Sequence, residues 1–176
     1  MPDAVIIPGR LYGPAAGLLM YSAHVAELRG TTVHRHEWRG DPPTTPDVEE
    51  WVCASVTPLL DSVAGRPLLI GKSLGSYAAA LAADRGLPAV WLTPLLHVPA
   101  VAAALGRASA PALLVGGTAD RSWDGELARR LSSHVLEVPD ADHGMYVPGP
   151  LTASVAVLGR VVLAVEEFLD AIGWPG

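Results

Sequence analysis

Between Leu68 and Gly75 the chain reads Leu-Leu-Ile-Gly-Lys-Ser-Leu-Gly, and a segment lined by Ala78, Ala79, Ala82 and Ala83 follows. The apolar run is too short for a helix and is bounded by glycine, which reads as a strand buried on both faces. The alanines keep the next element, predicted as a helix over 74–84, slim against a sheet. G-x-S-x-G between a strand and a helix puts the serine in a sharp turn that exposes its Oγ. Glycines two before and two after it leave room for that backbone. The N–H of Leu74 and the helix N-terminus then face any oxygen that becomes negative during acyl transfer. The plain alternative is a tight strand–helix turn with Ser73 as an N-cap.

The same alternation extends outward in both directions. Short apolar runs at 4–8, 32–38, 68–71, 89–92, 112–116 and 135–138 predict strands, and 15–28, 47–63, 74–84, 98–106, 123–132 and 151–172 predict helices. Strands separated by helices imply βαβ units, hence a mostly parallel six-stranded sheet with helices on both faces, an α/β three-layer sandwich. In the second strand His34, His36 and Trp38 alternate with Val33, Arg35 and Glu37. That run is too polar for double burial and belongs at an edge. The order 2-1-3-4-5-6 follows, with a topological switch between strands one and three, where open α/β sheets bind ligands. The loops there are 9–14 and 71–75. The polar, Pro-rich stretch 40–46 reads as a surface loop, and Asp47 as an N-cap.

Composition narrows the function classes. A chain of 176 residues predicts one domain over 1–176. Eighteen acidic residues against twelve Lys and Arg give a net charge of −6, with no basic cluster, which argues against nucleic acid and anionic membrane surfaces as partners. The single cysteine, Cys53, excludes an internal disulfide and a cysteine metal cage. The uncharged stretch 86–106 carries Pro88, Pro94 and Pro99, so a continuous membrane-spanning helix fails there. The start Met1-Pro2-Asp3 has no basic n-region, so no signal peptide is expected. The expectation is a soluble cytoplasmic protein without membrane insertion. Pairing into a homodimer is a further expectation, because an apolar-rich, weakly charged chain hides a patch that way.

From about residue 4 to 169 the chain resembles the α/β-hydrolase superfamily, in the small form without a cap domain. The resemblance implies a triad in the order nucleophile, acid, histidine, the acid after the penultimate strand and the histidine after the last. Ala112–Asp120 reads Ala-Leu-Leu-Val-Gly-Gly-Thr-Ala-Asp, offering Asp120, and 139–145 reads Pro-Asp-Ala-Asp-His-Gly-Met, offering His143. With Ser73 these are the implied catalytic residues. His143 would take the serine proton and Asp120 would hold its tautomer, giving an acyl-Ser73 intermediate that water cleaves. Asp124 is explained by dipole compensation at a helix start, and Asp140 and Asp142 by Asx-type bonds around the histidine turn. The oxyanion donors would be the Leu74 N–H and an N–H from the loop after strand one. There Pro8-Gly9 stands where many members have His-Gly, which leaves the second donor open between Arg10 and Leu11. Lys72 stands where a histidine is frequent; it either favours negative charge nearby or, in the favoured reading, lies on the outer side of the turn.

Among the remaining histidines, His34 and His36 read as a solvated edge-strand face rather than a metal pair, and His24 and His134 as surface or helix-flank residues. No metal and no cofactor is expected. The short link 93–99 leaves no room for a lid, so an open cleft is expected, with Tyr12, Leu95, His97, Trp123, Met145 and Tyr146 as candidate lining residues. For Trp123 a packing anchor at the helix start is an equal alternative, and for His97 a plain loop position. The implied function is hydrolysis of a carboxylic ester or thioester of a small, mostly neutral substrate. The alternatives are acyl-transfer, cyclase or lyase use of the same residues, or a non-catalytic binding protein on the same scaffold.

Overall fold

Six parallel strands lie in the order β2-β1-β3-β4-β5-β6 in the computed structural model. It describes residues 1–44 and 46–175; Thr45, in the loop expected over 40–46, and Gly176 lie outside the described residues. The strands are β1 (Asp3–Ile7), β2 (Thr32–Arg35), β3 (Leu68–Lys72), β4 (Ala89–Leu92), β5 (Ala112–Gly117) and β6 (His134–Val138). The helices are α1 (Gly17–Leu28), α2 (Val48–Ser62), α3 (Ala79–Arg85), α4 (Pro99–Arg107), α5 (Gly125–Leu131) and α6 (Leu151–Ala171). The expected sheet order and layering are therefore found.

The period-two alternation of side chains divides the core. Val5, Ile7, Leu69, Ala89, Trp91 and Leu114 pack under α2, α3, α4 and α5. Ala4, Ile6, Leu68, Ile70, Val90, Leu92, Leu113 and Val115 pack under α1 and α6. Every residue of β3 and β4 is buried, which is why both read as unbroken apolar runs. Each fully buried Leu, Ile or Val contributes roughly 1.5–3 kcal/mol of transfer free energy.

Three local readings are corrected. The second strand ends at Arg35 rather than at 38. His36 N–H still donates to the Ile6 carbonyl (2.9 Å), but Trp38 then turns under the sheet, packing on Trp51 and donating from Nε1 to the Gly9 carbonyl. His36 is thus not on a solvated face: it is buried, edge-on to Trp38 at 4.5 Å, and burial lowers its pKa. The segment after Ser73 opens as a 3₁₀ helix over Ser73–Ala78 before α3 begins. Ser76 Oγ donates to the Ser73 carbonyl at 2.6 Å, a local bond that suits this tighter turn. Asp47 does precede α2, but its side chain makes no capping bond. Among the described residues, no helix is long and apolar enough to cross a membrane.

Candidate active site

Ser73 is the first residue past β3, at the switch between β1 and β3, and its φ is +50°. A non-glycine residue there stores on the order of 1–3 kcal/mol of strain. The strain falls on the serine itself, while the flanking glycines supply space. A Cβ on Gly71 would stand 2.4 Å from Trp91 Cζ3, and one on Gly75 would stand 2.5 Å from the Ile7 carbonyl oxygen. Both close approaches set the turn against its neighbouring strands.

The loops after β5 and β6 bring two more groups to this serine. His143 Nε2 lies 2.8 Å from Ser73 Oγ, and its Nδ1 lies 2.7 Å from Asp120 Oδ2. The Asp120 side chain is 2% exposed and that of His143 is 40% exposed. Asp120 Oδ1 also accepts the Ser122 amide at 2.8 Å. Burial would raise the Asp120 pKa, but the bonds from His143 and Ser122 outweigh it and hold the carboxyl below its ordinary value. An ionised carboxylate facing Nδ1 favours the tautomer with a proton there, which leaves Nε2 free to accept one from Oγ.

The histidine loop is shaped by Asp142, whose Oδ1 accepts the amides of Gly144 (2.8 Å) and Tyr146 (2.9 Å). The Asx role expected for Asp142 is therefore present. Asp140 instead takes a positive φ of 58° and donates its amide to Thr118 Oγ1. Asp124 caps α5, accepting the Leu127 amide at 2.9 Å.

On the β1 loop, Gly9 N–H donates to the Tyr12 carbonyl, and the amides of Arg10 and Leu11 donate to no acceptor among the described residues. Leu74 is the second residue of the 3₁₀ helix, so its amide has no partner within that helix. These three amides remain the candidate oxyanion donors.

Of the expected lining residues, Tyr12, Met145 and Tyr146 border one cavity of about 260 Å³, together with Leu18, Leu151 and Leu158. This cavity lies between the histidine loop and the starts of α1 and α6. The other three stand elsewhere. Leu95 packs into the opposite core layer, and its amide donates to Ser76 Oγ. His97 is exposed on its loop. Trp123 lies across Gly116 and donates from Nε1 to Glu137 Oε2 at 2.7 Å, the packing alternative. His34 bonds to Asp3 at 2.8 Å.

Lys72 is the residue the sequence reading misplaced. It is 2% exposed, faces the α1 and α6 layer, and donates from Nζ to Thr93 Oγ1 and the His143 carbonyl, each at 2.9 Å. The signal was available in β3: Leu68 and Ile70 point inward, and Lys72 continues their period.

No protein-family model and no curated protein sequence matches the chain. Solved structures do. Est1E of Butyrivibrio proteoclasticus, solved with ferulic acid, matches at a TM-score of 0.74 and 15% identity, over 97% of this chain and 89% of that one. The monoacylglycerol lipase of Paleococcus ferrophilus matches at 0.65 and 16%, over 92% and 94%. An α/β serine hydrolase without a lid from Xanthomonas campestris matches at 0.62 and 16%, over 94% and 81%. Sheet order, switch-point serine and these likenesses agree that the chain has the α/β-hydrolase fold in its lidless form.

Proposed function

We propose that this protein is a serine hydrolase that cleaves a carboxylic ester or thioester of a small, mostly neutral substrate. The observation that carries the reading is the continuous contact Ser73 Oγ–His143 Nε2 and His143 Nδ1–Asp120 Oδ2, at 2.8 and 2.7 Å. Ser73 Oγ attacks the acyl carbon as its proton passes to His143 Nε2, and the negative oxygen is received by the Leu74 amide with that of Arg10 or Leu11. The C–O or C–S bond breaks, and the departing alcohol or thiol takes the proton from His143. Water then gives a proton to His143 and attacks the acyl-Ser73 carbonyl. The Ser73 oxygen departs with that proton, and a carboxylic acid is released. Asp120 stays ionised throughout, holding Nδ1–H and stabilising the imidazolium.

The mostly apolar cavity beyond Tyr12 suits a short acyl or alkyl group; at about 260 Å³ it lies just below the ~300 Å³ where drug-sized pockets begin. A net charge of −6 disfavours polyanionic substrates. The ferulic acid in Est1E and the lipase name of a second neighbour support ester chemistry. The same reading keeps the activity in one cytoplasmic domain, without cofactor.

The test is a fluorophosphonate probe with the adduct mapped by mass spectrometry. Ser73 is the expected site, with labelling lost in Ser73→Ala and sharply reduced in His143→Ala. Folded wild-type protein that takes no label would overturn the proposal. Across p-nitrophenyl esters, kcat/KM is expected to peak at short chains.

A further inference from the structure

A lysine buried in an apolar layer is costly, because its ammonium gives up water. A methionine would fill much of the same space without that cost. At Lys72 the ammonium has three N–H donors. Two go to Thr93 Oγ1 and the His143 carbonyl, and the charge lies 4.7 Å from the centre of the Tyr12 ring, within cation–π range.

These partners come from three different loops. Thr93 follows β4 and is pinned by its amide to the Val115 carbonyl at 2.7 Å, Tyr12 follows β1, and His143 follows β6. Lys72 itself directly precedes Ser73. One side chain therefore links the strand that delivers the hydroxyl to the backbone of the residue that faces it. The titratable groups around the ammonium are Asp120 from the β5 loop, Asp142 and His143 from the β6 loop, and Tyr12 from the β1 loop. Burial lowers the Lys72 pKa to about 8, with the two aspartates opposing, so the group still carries its charge at neutral pH.

We propose that Lys72 is a positioning residue for His143, fixing the histidine loop against the Ser73 strand through its bond to the His143 carbonyl. This rests on the Ser73–His143–Asp120 reading above. The Ser73–His143 contact depends on two separate loops keeping register, and a displacement of about 1 Å between reacting groups costs roughly 10²-fold in rate.

The experiment follows the rate of Ser73 labelling by the fluorophosphonate at pH 7, in wild type, Lys72→Met and Lys72→Gln, with folding checked by circular dichroism. Lys72→Met is expected to label at least ~10-fold more slowly than wild type. Lys72→Gln keeps N–H donors for the His143 carbonyl, so it recovers much of the wild-type rate. A folded Lys72→Met variant with wild-type rate overturns the proposal and leaves the Ser73 reading standing. Equally slow labelling in Lys72→Met and Lys72→Gln also overturns it, since loosened packing alone gives that result. Should Lys72→Met fail to fold, Lys72→Leu takes its place in the comparison. Wild-type protein that does not label at Ser73 removes the underlying reading, and this proposal with it.

Discussion

In the folded protein burial brings the Lys72 ammonium from an ordinary 10.5 to about 8, against the opposing pull of Asp120 and Asp142. Between those two values the unfolded chain binds more protons than the folded one, so stability rises with pH across the window. Between pH 7 and pH 10 the rise from this group amounts to about 2.5 kcal/mol. Cys53 works the other way. Burial pushes its thiol from 9.0 to about 11, so its contribution is full below pH 9 and fades toward pH 11, by up to about 2–3 kcal/mol. The two trends overlap, and the wild-type curve alone hides both. Subtracting the curve of Lys72→Met cancels Cys53 and every other group shared by the two proteins. At pH 7 the methionine removes the burial cost but leaves the His143 carbonyl and Thr93 Oγ1 without their donor, a loss of roughly 1.5–3 kcal/mol. The two proteins are therefore expected to be similarly stable at pH 7, with wild type ahead by about 2.5 kcal/mol at pH 10. Urea unfolding at pH 7, 8, 9 and 10, followed by tryptophan fluorescence, measures the difference. Parallel curves, agreeing within about 0.5 kcal/mol at every pH, would refute the buried ammonium.

Three further outcomes are expected. Asp120→Asn lowers kcat/KM by roughly 10³–10⁴-fold, because an amide can present N–H to Nδ1 and stabilise the wrong tautomer; a loss under tenfold contradicts the role assigned to the carboxylate. Gly75→Ala destabilises the fold by about 2–3 kcal/mol in denaturant melts, since the new Cβ meets the Ile7 backbone oxygen at 2.5 Å and neither strand end can swing away; a change below ~0.5 kcal/mol would show that the turn yields. Trp123→Phe removes the donor to Glu137 Oε2 and costs roughly 1–3 kcal/mol of stability while ester turnover stays within about twofold, whereas a large rise in KM would return Trp123 to the substrate side.

The strand order and the buried central strands were legible in the sequence, because they rest on local pattern, whereas the order Ser73, Asp120, His143 was an expectation drawn from the family resemblance. Unbroken apolar runs mark doubly buried strands, glycines mark the tight turn, and each candidate group follows a strand end. What local pattern could not carry was the partner that each side chain meets across the sheet. His36 looks polar and solvent-bound until Trp38 folds over it. Trp123 sits near the candidate loop in sequence, yet Gly116 and Glu137 draw it into packing. Tyr12, Met145 and Tyr146 share a cavity only because the starts of α1 and α6 close around it. Lys72 is the sharpest case, since strand alternation fixes the side to which it points. Only tertiary structure supplies Thr93, Tyr12 and the His143 carbonyl, from three loops distant in sequence, as the groups that receive its charge. Periodicity follows from one residue's neighbours along the chain, but the satisfaction of a buried charge depends on groups that meet only when the whole sheet has closed.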